Sequence, residues 1–398
     1  MKKQVLAFGL ICAVAAAVAA LAAGAGEAPA RLEPWTKGTL DVHQISTGRG
    51  NAALVVFPDG TTLLFDAGDA GNVVPLATAL PDASRGAGEW VARYVKRTAG
   101  EDAVLDYAVV SHFHVDHVGG FGKVVDELPI GKLIDRGYPA YGEPAAPKGA
   151  VFDDYRRVAE SAAKEGTVRE RARVGRADQI VPMRAPVDAA AFSVRVVAAN
   201  GEVWTGRGDA TARRFPDLSG VPAEDRPSEN PCSVALLFRY GGFSLYTGGD
   251  LYGAPEPGAP AWWDVETPIA KAIGRTDVMV VDHHGSIEPA SPFFLATLAP
   301  RVIVVPAWSP THPSPDVLKR LLSKRIWPGP RDVFVTFLRD ATRATIGPRA
   351  SQVASDEGHV VVRVAPGGAS YRVYVVDDRN ESGAVKSVHG PYASYGAR

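Results

Sequence analysis

Ser111-His112-Phe113-His114-Val115-Asp116-His117-Val118-Gly119-Gly120 places three of the chain's nine histidines and one aspartate between positions 112 and 117. The apolar run before it, Val104 to Val110, reads as a buried strand. The two glycines after it release the chain into a helix starting near Phe121. Imidazoles and a carboxylate at a strand end are the donors a transition-metal site uses. His112 and His114 are two residues apart, so in an extended segment they point the same way. Asp116 and His117 follow where the backbone turns and can face a second metal position. The alternative is a run of polar residues in a surface loop. The concentration of a scarce residue type in one place argues against it.

The rest of the chain sets the frame. Its 398 residues allow one large domain or two with a sizeable core; 46% hydrophobic and 22% charged residues argue against disorder. A net charge of −1 with no polybasic block leaves no electrostatic footprint for nucleic acid. That does not exclude a nuclease, because metals can bind phosphate. Residues 1–25 read as a signal peptide: Lys2 and Lys3, an apolar stretch from Leu6 to Ala23, and a small-x-small site at Ala23-Gly24-Ala25. An uncleaved N-terminal anchor is the alternative reading. Export, to the periplasm or beyond, is therefore expected, with no further membrane span. Of Cys12 and Cys232 only the second would survive cleavage, so the core must hold without a disulfide.

Residues 26–37 read as a linker, 38–378 as the main domain, and 379–398 as a loosely ordered tail. Leu40–Ile45, Ala52–Phe57 and Thr61–Phe65 read as strands with a turn at Pro58-Asp59-Gly60. Residues 138–190 look inserted. The helical spacing of Tyr155, Val158 and Ala162 suits either a surface helix over the core or a lid. Two sets of strands, each followed by helices, suggest two sheets packed face to face with helices outside.

Other segments complete the chemistry. Thr247-Gly248-Gly249-Asp250 ends a strand, where a carboxylate can bridge two metals. Val281-Asp282-His283-His284-Gly285-Ser286 offers two more imidazoles after a buried strand. Asn230 to Ser233 could be a plain turn. Asp66, ending an apolar strand, could orient a ligating histidine. Trp204, Trp262, Trp263 and Trp308 either line a pocket or pack in the core.

The run His112 to His117 matches the His-x-His-x-Asp-His signature of the metallo-β-lactamase superfamily. Val42 to Ala52, Pro58-Asp59-Gly60, Leu64 to Gly68, Ser111 to Gly120, Asn230 to Ser233, Tyr246 to Leu251, Asp282 to Ser286 and His312-Pro313-Ser314 occur in the order in which similar segments occur in the metallo-β-lactamase domain of ComEC-type competence proteins. This resemblance implies an αββα four-layer sandwich with one or two metal ions, zinc or manganese, at one edge. It implies that His112 and His114 serve the first metal and that Asp116 and His117 serve the second. Asp250 would bridge, and His283 would be the last ligand of the second position. His284 beside it would be the less favoured ligand of the pair or a proton donor, with Asp66, Asn230 and Ser233 in support. Asp116, Asp250 and His284 would then carry catalysis. Many superfamily members add a histidine to the first metal from the segment before Asp250; here that segment has none. The chain also has Gly48-Arg49-Gly50-Asn51 where those proteins usually carry Gly-Gln-Gly-Asp, and it lacks their membrane channel. The expected activity is metal-dependent hydrolysis of a phosphodiester or nucleic-acid-type substrate by activated water. β-Lactam or thioester hydrolysis, a non-catalytic exported scaffold, and a membrane-tethered accessory are the alternatives. Oligomeric state is open.

Overall fold

The computed structural model describes residues 30–397 except 75–76, 143, 185–190 and 255–256. The expected signal peptide lies outside the described residues. Two mixed sheets face each other. The first holds β1 (Leu40–Gln44), β2 (Ala53–Val56), β3 (Thr62–Phe65), β4 (Leu105–Val109), β5 (Ile130–Asp135), β6 (Val168–Arg171), β15 (His359–Val364), β16 (Ser370–Val376) and β17 (Val385–Ala393), in the order β17-β16-β15-β1-β2-β3-β4-β5-β6. The second holds β7 (Phe192–Ala199), β8 (Glu202–Trp204), β9 (Thr211–Arg213), β10 (Ala235–Tyr240), β11 (Phe243–Thr247), β12 (Val278–Val280), β13 (Val302–Val305) and β14 (Asp332–Val335), in the order β14-β13-β12-β11-β10-β7-β8-β9.

Each sheet changes character midway. From β3 to β6 and from β11 to β14 the pairing is parallel; elsewhere it is antiparallel. Inward residues of both sheets, among them Leu40, Val42, Phe57, Phe238, Leu245 and Val304, make the central core. The outer face of the first sheet packs against α1 (Ala87–Ala99), α3 (Phe121–Glu127) and α4 (Ala150–Lys164) through Val91, Val95, Phe121, Val124 and Tyr155. The outer face of the second packs against α5 (Glu266–Ile273), α6 (Pro292–Leu298), α7 (Pro315–Leu321) and α8 (Asp340–Ile346) through Ile269, Phe294, Leu295 and Leu318. This is the αββα sandwich. The parallel strands matter for function because their C-terminal ends emerge together. Asp66 follows β3, the histidine run follows β4, Asp250 follows β11 and Asp282 follows β12.

Two expectations change, and one pair of alternatives is narrowed. The segment 26–37 is not a free linker where described: Trp35 donates to the Thr39 carbonyl, and Arg31 bridges to Ala384. The tail from 379 is not loose either; β17 pairs antiparallel with β16, with Val373 opposite His389 and Val375 opposite Ser387. In the 138–190 segment, α4 lies on the core: Phe152, Tyr155, Val158, Ala159 and Ala162 are buried on one face, so the described helix is a buttress and not a lid. The helix expected after Gly119 is preceded by a short turn, α2 (Val115–Val118), that carries Asp116 and His117.

Candidate metal centre

The loop after β4 starts extended and then turns. His114 sits at the N-terminal edge of α2 with φ −77° and ψ 153°, so His112 and His114 leave on the extended side, and Asp116 and His117 on the helical one. Two glycines make room. A Cβ on Gly68 would lie 1.7 Å from the Asp116 carbonyl oxygen, and one on Gly249 would lie 2.6 Å from Ser111 Oγ. Phe113, between the ligands, is 1% exposed and packs on Phe152 and Tyr155 of α4. Its backbone N–H donates to Glu229 Oε1 (3.0 Å), which also accepts from the fully buried Arg136. Neither Glu229 nor Arg136 is marked by the sequence, since the partners lie 93 residues apart.

Asp66 organises the floor. Its Oδ1 accepts from the Ser111 N–H (2.7 Å), and its Oδ2 from Ser111 Oγ (2.8 Å) and Asn51 Nδ2 (3.0 Å). The same Oδ2 lies 2.8 Å from His117 Nδ1. The neutral residue at 51 is therefore a donor to Asp66; an acid there would repel it. Ser233 Oγ donates toward His112 Nδ1 (3.3 Å) or accepts from it, and accepts from the Asp250 N–H (3.0 Å). Asn230 Nδ2 contacts Tyr252 Oη and His283 Nε2 at 3.1 and 3.3 Å.

Two groups of donors converge on Asp250. His112, His114 and Asp250 form one; Asp116, His117, Asp250 and His284 form the other, each with ligand atoms within 4.8 Å of one another. His112 Nε2 and His114 Nδ1 face each other at 3.1 Å, as do His117 Nε2 and His284 Nε2. The Asp250 Oδ1 oxygen is buried, 3.1 Å from His117 Nε2, yet outside hydrogen-bond geometry. Facing imidazole nitrogens and an unbonded buried carboxylate oxygen suit a divalent cation, whose nitrogen and oxygen ligands stand roughly 3–4 Å apart. His112, His117, His284 and Asp250 are buried, while His114 and Asp116 are partly open, so solvent reaches the centre from their side.

The electrostatics agree. Burial disfavours the charged form of His117, but Asp250, Asp116 and Asp66 outweigh it and raise its pKa well above the ordinary value. Burial and the neighbouring His117 hold His112 well below its own. For Asp250 burial works upward, yet the surrounding histidines, His117 first, pull it well below the usual carboxylate range.

The structure groups His284, and not His283, with Asp116, His117 and Asp250. His284 Nε2 lies 3.1 Å from Asp116 Oδ2, and its Nδ1 lies 3.1 Å from the Pro306 carbonyl, so His284 closes the second donor group. His283, expected there, instead has Nε2 3.6 Å from the other Asp250 oxygen and Nδ1 3.0 Å from Glu288 Oε2. The cause is backbone: both residues are left-handed, with φ 44° and 53°, which sends the two rings to different oxygens of Asp250. Among the tryptophans, Trp308 is buried edge-on to His284, and Trp204 packs in the outer core of the second sheet. Trp263 reaches the rim through Tyr252, which lies over His283.

Residues 45–211 match the sequence model described as the Metallo-beta-lactamase superfamily. With the two-sheet architecture and the donors at its edge, this defines the class: the chain has the metallo-β-lactamase fold. A search of curated proteins gives no match. Among solved structures, a mutant CmlA beta-hydroxylase is similar at 14% identity and TM-score 0.39, over 76% of this chain and 53% of that one; this chain spans about half its length. A metallo-beta-lactamase from Cronobacter sakazakii is 15% identical over 64% of this chain and 79% of its own, TM-score 0.32. MEM-A1, a subclass B3 metallo-beta-lactamase from a soil metagenome library, is 14% identical over 63% and 79%, TM-score 0.32.

Proposed function

We propose that this protein is an exported metal-dependent hydrolase acting on phosphodiester or nucleic-acid-type substrates, with one or two zinc ions, or manganese, as cofactor. The observation that carries the reading is the convergence of the two donor groups on the single carboxylate of Asp250. His112 and His114 would hold one ion and Asp116, His117 and His284 the other, with Asp250 between. When bound, such ions act as Lewis acids and make a water nucleophilic near neutral pH. The chain's own residues do the rest. Asp66 holds His117 with the Nδ1 side turned away from the centre, Pro306 does the same for His284, and Ser111 and Ser233 flank His112 Nδ1. The partly open Asp116 and His114 face the side from which substrate comes. The phosphodiester preference rests on the resemblance to ComEC-type domains and on paired metal positions, which suit the charge of a phosphoryl transition state. Among the described residues no helix is long and apolar enough to cross a membrane.

Hydrolysis of bis(p-nitrophenyl) phosphate tests the reading, using protein stripped of metal and reloaded with zinc or manganese. Turnover that requires metal and vanishes in His114→Ala supports it. Metal uptake without turnover would sink the phosphodiester assignment and bring β-lactams, thioesters and a binding role forward.

A further inference from the structure

We propose that His283 is the third imidazole of the first metal position, replacing the histidine that the segment before Asp250 lacks. The inference rests on the metal-dependent reading above. Four observations carry it.

The two Asp250 oxygens divide the histidines evenly. Oδ1 faces His117 Nε2 at 3.1 Å and His284 Nε2 at 3.5 Å. Oδ2 faces His112 Nε2 and His283 Nε2, each at 3.6 Å. His283 therefore stands on the side of the carboxylate that belongs to His112 and His114.

The far nitrogen of His283 is also prepared as a ligand's would be. Its Nδ1 meets Glu288 Oε2 at 3.0 Å, the counterpart of His117 Nδ1 on Asp66 at 2.8 Å. A carboxylate on one ring nitrogen fixes the imidazole so that the other presents a lone pair.

His283 Nε2 meets the amide nitrogen of Asn230 at 3.3 Å, and the Oδ1 of that Asn230 is buried without a partner among the described residues. Asn230 stands in the segment that would otherwise supply the missing histidine. It offers a side chain that can yield to an ion.

The backbone is held in a costly shape to achieve this. His283 and His284 are consecutive left-handed residues, a conformation that L-residues rarely adopt. The His283 N–H is tied to the Gly249 carbonyl at 3.0 Å. With that turn both rings reach Asp250, one per oxygen. A single ligand would not require two such residues.

The test counts ions and does not depend on turnover. Metal-stripped wild type, His283→Asn, His112→Asn and His117→Asn, with the two double variants that combine His283→Asn with each of the others, are loaded with Zn²⁺ and with Co²⁺. Bound metal is measured by mass spectrometry, affinity by calorimetry and Co²⁺ geometry by visible absorption. Asparagine tolerates the left-handed backbone, and circular dichroism checks the fold. Wild type should take two ions and His283→Asn one. Adding His112→Asn should leave that one in place, whereas adding His117→Asn should remove it. Glu288→Gln, a milder change, should weaken the ion that His112→Asn removes by about 10–100-fold and leave the other unchanged. Two ions at wild-type affinity in His283→Asn, or retention of an ion when His283→Asn is combined with His117→Asn but not with His112→Asn, would overturn the assignment. Absence of any uptake by wild type would instead bring down the metal-dependent reading itself.

Discussion

The loops after β4 and β12 both deliver histidines to Asp250, and they do so by opposite means. The β4 loop spreads four donors over six residues with ordinary backbone angles, its direction changing from extended to helical at His114. Its support comes from beneath: Phe113 wedged into α4, and Glu229, itself held by Arg136, accepting from the Phe113 N–H. The β12 loop has two adjacent donors, and adjacent side chains cannot share a direction without unusual torsions. It obtains convergence from two left-handed residues clamped by Gly249 and, through the Gly285 carbonyl, by the Ser314 N–H. One loop is placed by packing, the other by torsion.

The contrast breaks most visibly at Phe113. Phe113→Ala should cost about 3–5 kcal/mol of stability by opening a cavity under the β4 loop, measured by chemical denaturation. If the cost is below 1 kcal/mol, packing is not what places that loop. A smaller effect is expected at Asp66. Asp66→Asn keeps the shape but weakens the hold on His117 and Ser111, and metal affinity at the second position should drop about 10–100-fold in a calorimetric titration. Affinity equal to wild type would show that the β4 loop needs no carboxylate beneath it.

The smallest effect belongs to the base of the β12 loop. Glu266 is buried, accepts the Ala290 and Ser291 N–H groups and lies beside Asp282. Burial raises its pKa from 4.5 to about 7, although its hydrogen bonds pull the other way. Burial and then Glu266 itself push Asp282 well above its usual range. A folded-state pKa above the unfolded one means the folded chain binds the extra proton. The resulting stability is complete below about pH 4.5 and is lost as pH rises through about 7. Denaturation midpoints of the metal-free protein should fall across that window, and Glu266→Gln should flatten the fall. An equal slope in wild type and variant would remove this pair from the account.

How much of this was legible follows from distance along the chain. The run His112 to His117 is contiguous, so its chemistry can be read without a fold, and the sandwich follows from strands that alternate or bury fully. Which of His283 and His284 stands beside His117 was not legible, because neighbours of identical type are told apart only by torsion. Glu229, Arg136 and Glu288 carry no local pattern; they matter because folding brings them under or beside a ligand. The strands missed were short ones, β6, β8 and β9, and the late β17, in which polar residues hide the alternation. Helix α5, with Pro268 inside its first turn, follows a Pro- and Gly-rich stretch that masks its start.

The first sheet ends at β6, Val168-Arg169-Glu170-Arg171, where Lys132 pairs with Glu170 and Arg169 lies over the Tyr138 ring. A row of unpaired amides at such a border is a template on which another molecule's strand could crystallise into a growing fibril. Here any newcomer would meet alternating full charges that it must strip of water before a single ladder bond forms. The border that carries no part of the chemistry thus sets a desolvation cost against edge-to-edge pairing.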